Sequence, residues 1–233
     1  IGLVINCAAS VKHYGKFEKF YDINVRGTQN IIKFCIKNNK ELVHISTLSV
    51  SGNIIEGGQI IQKNIDELVD YDETKLYIGQ NLDNVYAYTK FMAEKYVCDA
   101  IINDNLKGKI IRMGNLTGRF SDGKFQPNVS ENAFANRIKT IVKMKRMPEN
   151  MLGLYLEMTP IDYAAKAVVK ISKLNEDYTV FHVFNDKHAM MPFVIDVLKK
   201  VNINLKILSV EETKKIIKKY LNDNTKINEI EGI

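Results

Sequence analysis

At 233 residues, with 45% hydrophobic and 26% charged side chains, the chain has enough apolar material to bury a sizeable core, as one large domain or a domain with a lobe. Its net charge of +6 comes from lysines dispersed among carboxylates, not from a basic block interleaved with aromatics, which speaks against nucleic-acid binding and leaves an anionic cofactor or acidic partner open. Cys7, Cys35 and Cys98 read as buried thiols of a reducing compartment, the histidines share no ligand spacing with them, and no apolar run reaches the ~18 residues of a membrane span, so a cytoplasmic protein without a metal site is expected.

The chain opens on Ile1-Gly2-Leu3-Val4-Ile5-Asn6-Cys7-Ala8-Ala9, a nearly continuous apolar run that predicts a buried parallel strand with its carboxyl end at a ligand crevice. With no initiator methionine ahead of it, the run reads as the interior of a larger unit. Ala8 and Ala9 are small enough for either a flat ligand or a packed helix to come close. The spacing of Val25, Thr28, Ile31, Ile32, Cys35 and Ile36 predicts one helix face within residues 17–39. Gly27 inside that helix costs about 1 kcal/mol relative to alanine, which predicts a close helix contact or backbone approach in compensation. Residues 41–52 read as a second buried strand ending in the hydroxyls of Ser46, Thr47, Ser49 and Ser51, each of which taken singly is a loop or capping group.

Residues 53–84 carry no clear period, and a connection of that length is usually functional. A helix follows over Asn84-Val85-Tyr86-Ala87-Tyr88-Thr89-Lys90-Phe91-Met92-Ala93-Glu94, its stripe continuing through Val97 and Ile101. Residues 109–119 form a third strand; strand and helix alternate, which means parallel order with right-handed crossovers. A helix is expected over 133–144 and another from Pro160 in its first turn. Residues 178–184 alternate as a strand in which His182 is a satisfied structural histidine. Helix, strand and helix then occupy residues 192–201, 205–210 and 211–222, the last opened by a Ser209/Glu212 capping box with its lysines in solvent.

The pair Tyr86 and Lys90 carries the chemistry. On a helix the two share a face one turn apart. A free phenol ionises near pH ~10, and a nearby cation favours the phenolate, which makes Tyr86 a usable general acid or base near neutrality.

Tyr-x-x-x-Lys by itself arises readily by chance. Here it stands behind Asn6-Cys7-Ala8-Ala9, Asn24-Val25-Arg26-Gly27-Thr28-Gln29-Asn30 and Ile45-Ser46-Thr47-Leu48-Ser49-Val50-Ser51-Gly52, and ahead of Arg112-Met113-Gly114-Asn115-Leu116-Thr117-Gly118-Arg119 and Ser121-Asp122-Gly123-Lys124-Phe125. That order resembles the extended short-chain dehydrogenases/reductases, and in particular the thioester reductase domain of non-ribosomal peptide synthetases and carboxylic acid reductases. The resemblance is strong over roughly residues 4–165. It implies an α/β fold, a Rossmann-like doubly wound parallel sheet with a smaller C-terminal substrate lobe: residues 1–119 and 156–187 for the first, 120–155 and 188–233 for the second. It implies Thr47, Tyr86 and Lys90 as catalytic residues and NADPH as cofactor, lined by Ala8, Ala9, Lys90, Gly114, Asn115 and Leu116. The implied reaction is reductive release of an acyl or peptidyl thioester from a carrier-protein phosphopantetheine arm, as an aldehyde or, after a second reduction, an alcohol.

The family opens with a Gly-rich strand-to-helix turn that seats the pyrophosphate, and none of the 13 glycines forms it. The chain is therefore expected to be the carboxyl-terminal portion of a reductase domain, with weak cofactor binding by itself. The alternatives are a sugar-nucleotide epimerase or dehydratase of the same fold, and a catalytically inactive fragment.

Overall fold

Four apolar runs become the strands of one sheet: β1 (Leu3–Asn6), β2 (Glu41–Thr47), β3 (Gly108–Met113) and, later in the chain, Val180–Val183. In the computed structural model, which describes residues 2–11, 15–52, 55–56, 59–60, 71–127, 132–175, 178–187 and 189–222, these strands lie in that order and every neighbouring pair is parallel. The architecture is α/β and Rossmann-like. The register sets Asn6 beside His44 and His44 beside Ile110, and two residues further on it sets Ser46 beside Arg112 and Thr47 beside Met113. Because alternate strand residues share a face, Leu42, His44 and Ser46 line one side of the sheet with Ile110 and Arg112.

That side is packed by two helices, α1 (Gly27–Lys37) and α2 (Val85–Asn103). Ile32 and Cys35 of α1, Val97 and Ala100 of α2, and Leu42, Leu106 and Ile110 form its apolar core. α1 is approached through a short turn of helix, Phe17–Phe20, and a π-helical stretch, Tyr21–Arg26, a form frequent at functional sites. Gly27 needs no special approach: a Cβ there would meet only the Asp22 carbonyl oxygen, at an ordinary 3.7 Å, so the expected compensating backbone contact is absent.

β2 ends at Thr47, which caps a 3₁₀ turn, Leu48–Ser51. Gly52 follows with φ +57°, and a Cβ there would come within 2.4 Å of the Asn81 carbonyl oxygen, so this glycine is sterically required. Gln80 pins the incoming connection, donating through Nε2 to the Val50 and Leu76 carbonyls at 3.0 Å each. The start of α2 is capped by Asn84, whose Oδ1 accepts from the Ala87 amide at 2.7 Å. Of residues 53–84, those at 53–54, 57–58 and 61–70 lie outside the described residues.

The chain divides into two compact units, Ile1–Gly114 with Ala164–Val183, and Asn115–Tyr163 with Phe184–Ile233. The expected single strand over 109–119 is broken: β3 stops at Met113, and Leu116–Thr117 pairs in parallel with Thr159–Pro160 in the second unit. Pro160 thus lies in that ladder, immediately ahead of the helix α3 (Ile161–Ser172) and not in its first turn. In the second unit Ile141, Met147, Leu156, Met191 and Ile195 form a separate core. Its last helix, Val210–Leu221, opens on the Ser209/Glu212 capping box that the sequence predicts. Val180–Val183, hereafter β4, completes the first unit. The cysteines correct one expectation: Cys35 is buried and Cys98 half-buried, but Cys7, just past β1, is exposed. Among the described residues no helix is long and apolar enough to cross a membrane.

Candidate active site

The carboxyl ends of β1 and β2 and the first two turns of α2 gather the polar residues. Thr47, the last residue of β2, is 8% exposed; its Oγ1 accepts from the Ser49 amide at 3.2 Å and donates to Ser49 Oγ at 3.3 Å. Tyr86, in the first turn of α2 and half-buried, forms a side-chain hydrogen bond with Thr47. One turn on, Lys90 is 3% exposed and donates through Nζ to the Ile45 carbonyl at 2.6 Å. The structure therefore brings Thr47 and Tyr86 into direct contact and ties Lys90, one helical turn from Tyr86, to the backbone of the strand that carries Thr47.

Electrostatics departs from expectation in one respect. Burial raises the Tyr86 phenol above its ordinary value, with the Thr47 hydrogen bond pulling the other way, so Lys90 does not hold it down. The lysine is turned to a backbone carbonyl instead. Burial pulls its own pKa down to about 8, opposed by Glu94 and then by Cys7. A phenol protonated at neutral pH is the form that gives up a proton, which is the role a reduction requires.

Residues that carry no chemistry of their own hold this arrangement. Asn24, buried in the π-helical stretch, accepts from the Ser10 amide at 2.7 Å and donates to the Ser10 carbonyl at 3.3 Å and to Thr89 Oγ1 at 2.9 Å. Thr89 is the neighbour of Lys90, so this amide ties the turn after β1 to α2. Within that turn Asn6 accepts from the Ala8 amide at 3.2 Å, which sets the path of Ala8 (exposed) and Ala9 (half-buried). Gly114 follows β3, and its amide donates to the Val183 carbonyl at 2.9 Å. Asn115 and Leu116 belong to the second unit, the Asn115 amide donating to the Glu157 carboxylate and its carbonyl accepting from Thr159.

Below the pair lies a buried network that the sequence did not disclose. Glu94, 0% exposed, accepts from Ser46 Oγ at 2.6 Å on one carboxylate oxygen and from Arg112 Nε and Nη2 at 2.9 and 2.6 Å on the other. Arg112, 1% exposed, also donates to the carbonyls of Asp72 and Lys75 at 3.0 and 2.8 Å and lies 3.3 Å from His182 Nε2 and 4.5 Å from the centre of the Tyr71 ring. His182 is thus a structural histidine, also paired with Glu73 at 3.2 Å. His44, fully buried, has Nδ1 3.4 Å from Asn6 and an Nε2 without a partner among the described residues. Burial, and secondarily Lys90, hold it well below the ordinary histidine range.

The surroundings fit the nicotinamide half of a dinucleotide. One of the three ammonium N–H groups of Lys90 is used by Ile45, which leaves donors for ribose hydroxyls. Ala8 offers only a methyl group against a flat ligand past the end of β1, and a crevice at the carboxyl ends of parallel strands is where such sheets bind nucleotides.

Fold and site together define a Rossmann-like oxidoreductase of the short-chain dehydrogenase/reductase type. A family model described as male sterility protein, an NAD-binding family, matches residues 1–168, and the chain belongs to that family of NAD(P)-dependent oxidoreductases. It is 28% identical over 173 residues to the nonribosomal peptide synthetase cpsA of Aspergillus campestris, covering 73% of this chain and 16% of that protein. With the glycine betaine reductase ATRR of Emericella nidulans it shares 26% over 186 residues, 78% of this chain and 14% of that protein. The structure of a thiolation-reductase di-domain from an archaeal non-ribosomal peptide synthetase superposes with a TM-score of 0.81 at 37% identity, covering 100% of this chain and 48% of that one. The chain thus spans less than half the length of these proteins.

Proposed function

We propose that the chain is the catalytic part of an NADPH-dependent thioester reductase that releases an acyl or peptidyl group from the phosphopantetheine arm of a carrier protein as an aldehyde. What carries the reading is the Thr47–Tyr86 hydrogen bond with Lys90 buried one helical turn from Tyr86, in a chain 37% identical to a thiolation-reductase di-domain.

The reduced nicotinamide, when bound, supplies a hydride. Lys90 would hold its ribose, Ala8 and Ala9 would line it, and Gly114, Asn115 and Leu116 would flank the nicotinamide end. Thr47 and Tyr86 donate hydrogen bonds to the thioester oxygen, where negative charge develops as the hydride reaches the carbon. Tyr86 then delivers its proton to that oxygen. The resulting hemithioacetal collapses by breaking the carbon–sulfur bond, which leaves the aldehyde and returns a thiol to the pantetheine arm. A second hydride and proton on the aldehyde would give the alcohol.

The full-length protein, given NADPH and an acyl-pantetheine carrier protein, is expected to yield an aldehyde trapped as its hydrazone. Tyr86→Phe is expected to lower that rate by ~10²–10⁴-fold while leaving the circular dichroism spectrum unchanged. Turnover of a nucleotide sugar without turnover of the thioester would assign the site to the epimerase-like alternative and end this reading.

A further inference from the structure

Lys90 and Glu94 sit one turn apart on α2 and grip consecutive residues of β2, the first through the Ile45 carbonyl at 2.6 Å, the second through the Ser46 hydroxyl at 2.6 Å. Thr47 is the next residue. Near Thr47 the catalytic helix is therefore tied to that strand by two hydrogen bonds, and one of them belongs to a residue that touches no reacting atom. Arg112, opposite Ser46 in the sheet, completes the grip by holding the far oxygen of the carboxylate. We propose that Glu94 is a positioning residue for Lys90: it locks α2 in register on β2 and supplies the buried counter-charge that keeps the ammonium in its donor form.

The groups facing Lys90 support a charge role over a purely mechanical one. From the end of β1 comes the Cys7 thiol, which partial burial pushes up and which is neutral at physiological pH. From β2 comes His44, held neutral by burial. From its own helix come Tyr86, also kept protonated by burial, and Glu94. Behind Glu94 stands Arg112 of β3. Glu94 is thus the carboxylate beside an ammonium that burial otherwise drives toward the neutral amine, and a neutral amine would offer one fewer hydrogen to Ile45 and to a ribose.

This inference rests on the reading of Thr47, Tyr86 and Lys90 as the reducing set, but its test has an arm that needs no substrate. In full-length protein labelled with carbon-13 at the lysine ε-carbons, the Lys90 resonance is assigned by its absence in Lys90→Met and titrated with pH. Glu94→Gln is expected to lower its midpoint by about one pH unit or more, since an opposite charge is lost at close range, and to move the alkaline limb of NADPH-dependent reduction down with it. Glu94→Asp, which keeps the charge, is expected to recover most of the shift. Should Glu94→Gln fail to fold because Arg112 is left unpaired, the midpoint is compared between Arg112→Met and Glu94→Gln with Arg112→Met, where loss of the carboxylate is again expected to lower it. A folded variant in which the melting temperature falls but the Lys90 midpoint stays in place would overturn the proposal and leave Glu94 a structural residue. Absence of thioester turnover in the unsubstituted protein would instead count against the proposed function, with the titration still read on its own terms.

Discussion

The helix α2 and the sheet beneath it are two different materials along one length. Toward the carboxyl ends of the strands, α2 presents Thr89, Lys90 and Glu94 to Asn24, Ile45, Ser46 and Arg112 through hydrogen bonds. Toward the other end the same helix packs Val97 and Ala100 into an apolar cluster with Ile32, Cys35, Leu42 and Ile110. The apolar half stabilises by removing surface from water and depends little on direction. The polar half stabilises little in net terms, because a buried ion pair barely offsets its own desolvation, but it tolerates one geometry only. Placing the two halves on one helix anchors Tyr86 and Lys90 to a packed core.

Breaking either half should give effects of different origin. The largest is expected from Arg112→Met, which leaves Glu94 charged and buried without its cation, and which also releases the carbonyls of Asp72 and Lys75. A loss of ~3–5 kcal/mol in urea unfolding is expected for such an uncompensated ion. Next comes Leu42→Ala in the apolar half, where Leu42 is 1% exposed; ~2–5 kcal/mol is expected from lost transfer energy and the cavity left behind. That loss should leave the alkaline limb of the pH–rate profile in place, since no ionised group is touched.

The smallest effect is the pH dependence of stability carried by His44, which lies at the boundary between the halves. Unfolded, a histidine takes up a proton near pH ~6.5; folded, His44 stays neutral well below that value. The unfolded state therefore binds more protons on the acid side, and stability should fall as pH drops below ~6.5, by up to about 1.4 kcal/mol per pH unit from this group. His44→Phe is expected to flatten the unfolding free energy between pH ~6.5 and ~5 relative to the unsubstituted protein. An unchanged slope would mean that His44 is protonated in the folded state.

The strand–helix alternation and the spacing of Tyr86 and Lys90 were legible because both are written in local periods. The apolar runs within residues 1–9, 41–52 and 109–119 read as buried parallel strands, which the structure keeps only over Leu3–Asn6, Glu41–Thr47 and Gly108–Met113, and Tyr86 and Lys90 are helical neighbours by spacing alone. Helix ends were legible where a cap announces them, as at Ser209 with Glu212. Gly27 misled, since a helix position that glycine occupies need not lack room for a side chain. Pro160 misled because the residue that ends a short ladder and the residue that opens a helix look alike in sequence. Cys7 misled because a small apolar run predicts a strand, and its last side chain lies past the end of that strand.

The sequence by itself determined the α/β alternation, the pairing of a phenol with an amine one helical turn apart, and the hydroxyl-rich end of the strand that precedes them, all properties of residues close in the chain. Only the tertiary structure decided what surrounds them. Asn24 reaches Thr89 across 65 residues, Ser46 reaches Glu94 across 48, and Arg112 reaches the Asp72 carbonyl across 40. A buried polar group must find a partner wherever the fold brings one, and which partner that is depends on strand order and register, which no local pattern encodes. The same holds for the protonation of Tyr86 and Lys90, because burial is a property of the folded molecule and not of the spacing that brings the two together.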